Sequence, residues 1–222
     1  MANRFWIAFG DIHERIAAVD GIDDLGQASG VFLSGDLTNV GTRDGALRII
    51  SAVADKNPRI FAQIGNMDTT AVERVLTERG INVHGQVTDL GGGVCLAAVG
   101  YSTPTPFGTP SEVGEDQIGQ WTRDVLEAAG VFERVILMVH TPPRGEVVDR
   151  LPSGAHVGSP AVRALIERYQ PAVVVTGHIH EGAGEERIGR SHVLNPGAFA
   201  AGRWVRIEDT PDGLVASLRG PA

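Results

Sequence analysis

The sequence predicts an α/β fold in which two β-sheets pack together with helices outside. Three observations carry this. Short apolar runs recur along the chain, segments with helical spacing separate several of them, and the stretch after residue 190 changes to strand-turn-strand patterning. The runs are Phe5 to Phe9, Val31 to Leu33, Ile60 to Ile64, Val94 to Val99, Val135 to Val139 and Ala172 to Val175, each the length of a buried strand. Helical spacing covers Arg15 to Ala28, Arg43 to Asp55, Ala71 to Arg79, Gln117 to Ala129 and Ala161 to Tyr169. Thr70 with Glu73 reads as a capping box, and Ser159 before Pro160 reads as an N-cap followed by a proline in the first helical position. His192 to Leu194, Trp204 to Glu208 and Leu214 to Leu218 read as a β meander, with Asp209 to Gly213 as its hairpin turn.

The chain has 222 residues, 42% of them hydrophobic and 21% charged, which is enough for a proper core and predicts a single domain over 1–222. The one cysteine, Cys95, lies in an apolar run and cannot form an intrachain disulfide, so it reads as a buried hydrophobe suited to a reducing cytoplasm. The apolar run near the N-terminus is too short for a signal sequence or a membrane span, so a cytoplasmic, membrane-free protein is expected. A formal net charge of −8 argues against a basic surface that tracks nucleic acid and favours a small substrate. A bound cation could still draw phosphate into an acidic protein.

In α/β sheets, functional groups gather where strands run out into loops at their carboxyl ends. Five predicted strands here deliver polar residues at that position: Asp11 and His13, Asp36, Asn66, His140, and His178 with His180. In Asp11-Ile12-His13 and His178-Ile179-His180 the polar residues are two apart, so in extended backbone each pair can converge on one ion. Glycines precede Asp11, Asp36, Asn66 and His178, where they permit sharp turns and close approach. The donors are imidazole, carboxylate and amide oxygen without thiolate, a set that suits manganese, iron or zinc. Seven donors suffice for two divalent ions, and a pair bridged by a carboxylate would clamp phosphate oxygens and hydrolyse a phosphate ester.

The segments GDIH, GDLTN, GNMD, LMVHTPP and GHIH, in this order across residues 10–180, resemble the calcineurin-like metallophosphoesterases. The resemblance implies a four-layer α/β/β/α sandwich of two mixed sheets flanked by helices. It implies that Asp11, His13, Asp36 and His180 hold one ion and that Asp36, Asn66, His140 and His178 hold the other, with Asp36 as the bridge. It also implies that a hydroxide between the ions attacks phosphorus, so that Asp36, Asn66 and His140 are the central catalytic residues.

The sequence departs from the pattern at Met67, where many relatives carry a histidine that binds phosphate and protonates the leaving group. Methionine does neither, and the loss of general acid catalysis is worth ~10²–10⁴-fold. Small relatives with cysteine at this position act on phosphodiesters, so the resemblance implies a diesterase preference. The alternative from another class is a catalytically weak scaffold on the same fold, as in the retromer subunit that resembles these enzymes. A nuclease would need a basic groove.

Other residues read as follows. Arg144, four residues after His140, is a candidate phosphate contact. Asn39 is either a turn residue or a support for Asp36, Asp68 reads as a cap of the following helix, and His84, His156 and His192 fall outside the metal set. The proline-rich segment Tyr101 to Pro110 is a loop, either a substrate wall or a stiffened connector. Asn195-Pro196-Gly197-Ala198 recurs in the family near the site, and on physical grounds it is a turn.

Overall fold

The computed structural model describes residues 4–221. One sheet contains β1 (Phe5–Phe9), β2 (Val31–Leu33) and β3 (Ile60–Ala62) in parallel, extended past β1 by the hairpin of β10 (Trp204–Thr210) and β11 (Gly213–Arg219). The other is built on β5 (Val94–Val99), β6 (Arg134–Val139), β7 (Val173–Val175) and β9 (Ser191–Asn195), all parallel. β4 (Gln86–Gly91) and β8 (Gly184–Ile188) form its antiparallel edges. The orders are β11-β10-β1-β2-β3 and β4-β5-β6-β7-β9-β8.

Side-chain alternation turns these two sheets into four layers. On β1, Trp6 and Ala8 join a core shared with Leu96, Met138, Val175 and Leu194 of the second sheet. Phe5, Ile7 and Phe9 point the other way and pack under α1 (Arg43–Ala54) and α2 (Thr70–Glu78), against Ile49, Val53, Val72 and Leu76. The far face of the second sheet is covered by α3 (Glu115–Ala128) and α4 (Pro160–Tyr169) through Ile118, Val125, Val162 and Ile166. α1 buries Ala46, Ile49, Ile50 and Val53, a single helical stripe facing the sheet. The expected α/β/β/α sandwich of two mixed sheets is therefore the observed architecture.

At the amino ends of β1 and β6 the sheets are clasped by Asp209. Its carboxylate takes Arg4 at 2.6 Å and also pairs with Arg134, while the two guanidinium groups reach the carbonyls of Leu90 and Gly91 at the end of β4 and of Gly92 in the turn to β5. The carboxyl ends of β1, β2, β3, β6 and β7 all open at the opposite rim, because these strands run parallel within their sheets.

Several local expectations are corrected. Residues 15–28 do not form an α-helix. They make 3-10 turns at Ile16–Gly21 and Leu25–Gln27, since Gly21 and the Asp23-Asp24 pair interrupt the pattern and Asp24 takes a left-handed φ of 59°. The capping box at Thr70 is absent: the N-cap is Thr69, whose hydroxyl donates to the Gly41 carbonyl. Ser159 does cap α4, accepting from the Val162 amide at 3.0 Å. The C-terminal strands do not form one meander, because β9 pairs in parallel with β7 while β10 and β11 cross to the first sheet.

Phe32 is fully buried between the sheets, stacked near Trp6 with ring centroids 6.3 Å apart and edge-on to Phe61 at 5.7 Å. Phe32→Ala is expected to lower the unfolding free energy in urea by ~3–5 kcal/mol. Val131→Ser, at a position 85% exposed, should stay within about 0.5 kcal/mol of the parent.

Candidate metal centre

All seven residues expected from the strand ends meet at one rim. Asp11, His13 and His180 bring ligand atoms within 4.8 Å of one another, and so do Asp36, His140 and His178. Asn66 joins the second cluster, its Oδ1 lying 3.1 Å from His140 Nε2 and 2.7 Å from His178 Nδ1. Asp36 stands between the two: Oδ2 is 3.7 Å from His13 Nε2, and Oδ1 is 3.6 Å from His140 Nε2.

The backbone reaches this arrangement by leaving the extended conformation. Asp11, His13, Asp36 and His178 all have φ between 46° and 68°, a left-handed region costing ~1–3 kcal/mol per residue. Asp and His are among the non-glycine residues that tolerate it best. Strand alternation is therefore not what makes the paired motifs converge. His178 and His180 in fact divide between the clusters, contrary to the spacing argument, while Asp11 and His13 share one. Of the preceding glycines, Gly35 is the clearest case: its φ is +112°, and a Cβ there would lie 2.7 Å from the Gly65 amide and from the His140 ring.

Neighbouring groups fix which nitrogen each ring presents. The Ser34 carbonyl is 3.0 Å from His140 Nδ1, so Nδ1 carries the hydrogen and Nε2 is left facing Asn66 and Asp36. Asn39 Oδ1 does the same for His13 at 2.7 Å, so Asn39 supports His13 rather than Asp36. Asp11 accepts the backbone amide of His178 on both oxygens and lies 3.1 Å from His180 Nε2. Asp68 does not cap α2. It is fully buried and accepts from the Leu37, Thr38 and Gly65 amides, tying the loop after β2 to the loop after β3.

Two further residues that the sequence left as loop or turn hold the centre. Asn195 donates to the carbonyls of Ile179 and Val148, pinning the backbone between His178 and His180. Thr109, in the proline-rich loop, accepts an amide hydrogen of Asn66 at 2.9 Å. His84, His156 and His192 stand apart: His84 accepts from the Gly100 amide and packs on Tyr101 and Trp121, while His156 and His192 pair with Asp149 and Glu185. Arg144 is exposed, and its guanidinium makes no hydrogen bond or ion pair among the described residues.

The donor chemistry fits divalent cations. His13 Nε2 and His180 Nε2 are 3.1 Å apart, and His140 Nε2 faces amide and carboxylate oxygens, so acceptors confront acceptors unless a positive charge lies among them. Without a metal, protons meet that demand. Burial opposes charge on His140, but Asp36, Asp11 and the Ser34 carbonyl outweigh it and raise its pKa to about 9. Burial would likewise raise Asp36, yet His140, His13 and the Met67 amide hold it below the usual carboxylate range. Burial and the neighbouring His140 push His178 down to about 4, whereas the hydrogen bond to Asp11 raises His180.

Comparisons with known proteins agree with this picture. Residues 125–212 match the family described as metallophosphoesterase, calcineurin superfamily. The uncharacterized protein MJ1162 of Methanocaldococcus jannaschii is 28% identical over 193 residues, covering 84% of each chain. The crystal structure of TT1561 from Thermus thermophilus superposes with a TM-score of 0.74 at 17% identity, covering 97% of this chain and 99% of that one. A Staphylococcus aureus protein provisionally named a 5′-nucleotidase gives 0.63 at 13% identity, covering 97% of this chain and 53% of that one. The fold is shared with these structures, and residues 125–212 are similar to the calcineurin-like metallophosphoesterases. Its clustered Asp and His side chains form two groups able to hold a metal ion.

The folded-state pKa of His140 is raised from an ordinary 6.5 to about 9, so its contribution to stability is fully present below pH 6.5 and is lost as pH rises through about 9. Chelator-treated protein should therefore become easier to denature across that window, and His140→Gln should flatten the dependence. Denaturant titrations at a series of pH values test this, and an undiminished slope in the variant would sink the assignment.

Proposed function

We propose that the chain hydrolyses phosphate esters, with phosphodiesters preferred, at a centre of two divalent ions. The observation that carries the reading is the stance of Asp36, whose two carboxylate oxygens face different donor clusters, as a bridging ligand requires. Asp11, His13, Asp36 and His180 would hold one ion, and Asp36, Asn66, His140 and His178 the other. Two such ions supply Lewis-acid polarisation of phosphoryl oxygens and ionise water near neutral pH. The mixed nitrogen and oxygen donors, without thiolate, favour manganese, iron or zinc.

The chain's own residues supply orientation. Ser34 and Asn39 aim the rings of His140 and His13, Asp11 fixes the His178 backbone, and Asp68 joins the loops that carry Asp36 and Asn66. The Arg144 guanidinium, exposed and without a carboxylate partner among the described residues, is the proposed contact for a substrate phosphate oxygen. Met67 uses its amide to support Asp36 at 2.7 Å and offers no side-chain proton. A leaving group that departs as a stable anion then reacts best, which supports diesters with acidic leaving groups. We read residues 1–222 as one domain, because the donors come from both sheets. A reducing, cytoplasmic setting agrees with Cys95, which is buried and whose thiol burial pushes up to about 12. Among the described residues no helix is long and apolar enough to cross a membrane.

Met67 also favours a second reading, a scaffold with little turnover. The two are separated by assaying bis(p-nitrophenyl) phosphate with Mn²⁺. Turnover that drops to background in both Asp36→Ala and His140→Ala supports the enzyme, while an inert parent across metals and esters supports the scaffold. Met67→His should raise the rate on esters with poor leaving groups by up to ~10²-fold, read as kcat on alkyl against aryl substrates.

A further inference from the structure

The proline-rich loop is joined to the metal centre by a chain of hydrogen bonds with fixed polarity. Asn66 Nδ2 donates to Thr109 Oγ1 at 2.9 Å, and Thr109 Oγ1 donates to Glu112 Oε1 at 2.5 Å. The same carboxylate oxygen accepts the Thr109 amide at 2.8 Å and the Thr105 hydroxyl at 2.6 Å. An ionised carboxylate only accepts, so the single hydroxyl hydrogen of Thr109 is committed to Glu112. Thr109 can then only accept from Asn66, which requires the NH₂ end of that amide to face the loop and the oxygen to face His140 and His178. A flipped amide would set an acceptor against the Thr109 lone pair and turn its NH₂ toward the ion-binding side. The Thr105, Thr109 and backbone donors outweigh burial and hold Glu112 down to about 2, so it remains an acceptor at any working pH.

We propose that Thr109 and Glu112 are positioning residues of this centre, selecting the ligating orientation of Asn66 and coupling order in the loop of residues 101–113 to occupancy of the ion site nearer His140. This rests on the reading of Asn66 as a ligand. The coupling runs both ways: an ion on Asn66 Oδ1 fixes the amide, the fixed amide holds Thr109, and Thr109 with Glu112 holds the loop. Supporting groups of this kind change metal affinity by ~10–100-fold when removed.

The test titrates chelator-treated full-length protein with Mn²⁺, using calorimetry for affinity and hydrogen exchange for the loop. Thr109→Val and Glu112→Gln should each weaken one Mn²⁺ equivalent by ~10–100-fold, and Thr109→Ser should restore it. Mn²⁺ should slow exchange across the loop in the parent and in Thr109→Ser, but not in Thr109→Val. Asn66→Ala separates the two levels of the argument. If that variant binds both equivalents like the parent, the ligand reading of Asn66 fails. If it binds weakly while Thr109→Val and Glu112→Gln match the parent, the positioning role is overturned and the ligand reading stands. A Thr109→Ser variant as weak as Thr109→Val would also count against the role, since the hydroxyl would then not be what matters.

Discussion

Electron pairs face one another at the rim of this molecule, and the rest of the structure is organised around that confrontation. Asp11, Asp36, Asn66 and the free nitrogens of four histidines converge within a few ångströms, with oxygen facing nitrogen rather than donor facing acceptor. Such a cluster is stable only around positive charge. The raised pKa of His140 and the lowered pKa of Asp36 express that requirement as protonation, and the proposed ions would meet it as coordination.

Holding the donors together costs backbone strain, and the loops offset it locally. Four of the seven residues have left-handed φ values at ~1–3 kcal/mol each. Against this stands Asp68, which gathers amides from two loops, and hydrogen bonds to a charged acceptor are worth ~1.5–3 kcal/mol each. Burial and the nearby Asp36 charge raise the pKa of Asp68 to about 6, so its acceptor strength varies with the charge of the centre it supports. Asn195 plays the matching part for the second sheet through the carbonyl between the two histidines.

Much of this is legible in the sequence, because buried parallel strands are apolar runs and their carboxyl ends are where polar residues can gather. The strands at Phe5–Phe9, Val31–Leu33 and Val94–Val99 have the limits their apolar runs mark. β4 and β8 are not visible there: QVTDLG and GEERI are edge strands, half exposed and without an apolar run. Nor does local pattern say which sheet a strand will join, and so it groups β9 with the wrong partners. The seven residues that cluster at the rim are readable from chemistry and order along the chain. Thr109 and Asn195 are not, because their roles depend on contacts 43 and 16 residues away and their own segments carry only turn chemistry. Asp68 shows the same limit: a cap reading is local, while its partners lie up to 31 residues off.

The clasp at Asp209 gives the sandwich a mechanical axis. Arg4 and Arg134 fasten one sheet to the other at the end away from the centre, and at the other end the first sheet contributes four of the seven donors and the second sheet three. The arrangement is that of a peg with its spring at Asp209 and its jaws at Asp36 and His140. A slight change in the angle between the sheets does little at the spring and much at the jaws. The distance between the donors of one sheet and those of the other is therefore set across the inter-sheet core, by side chains such as Trp6, Phe32 and Met138.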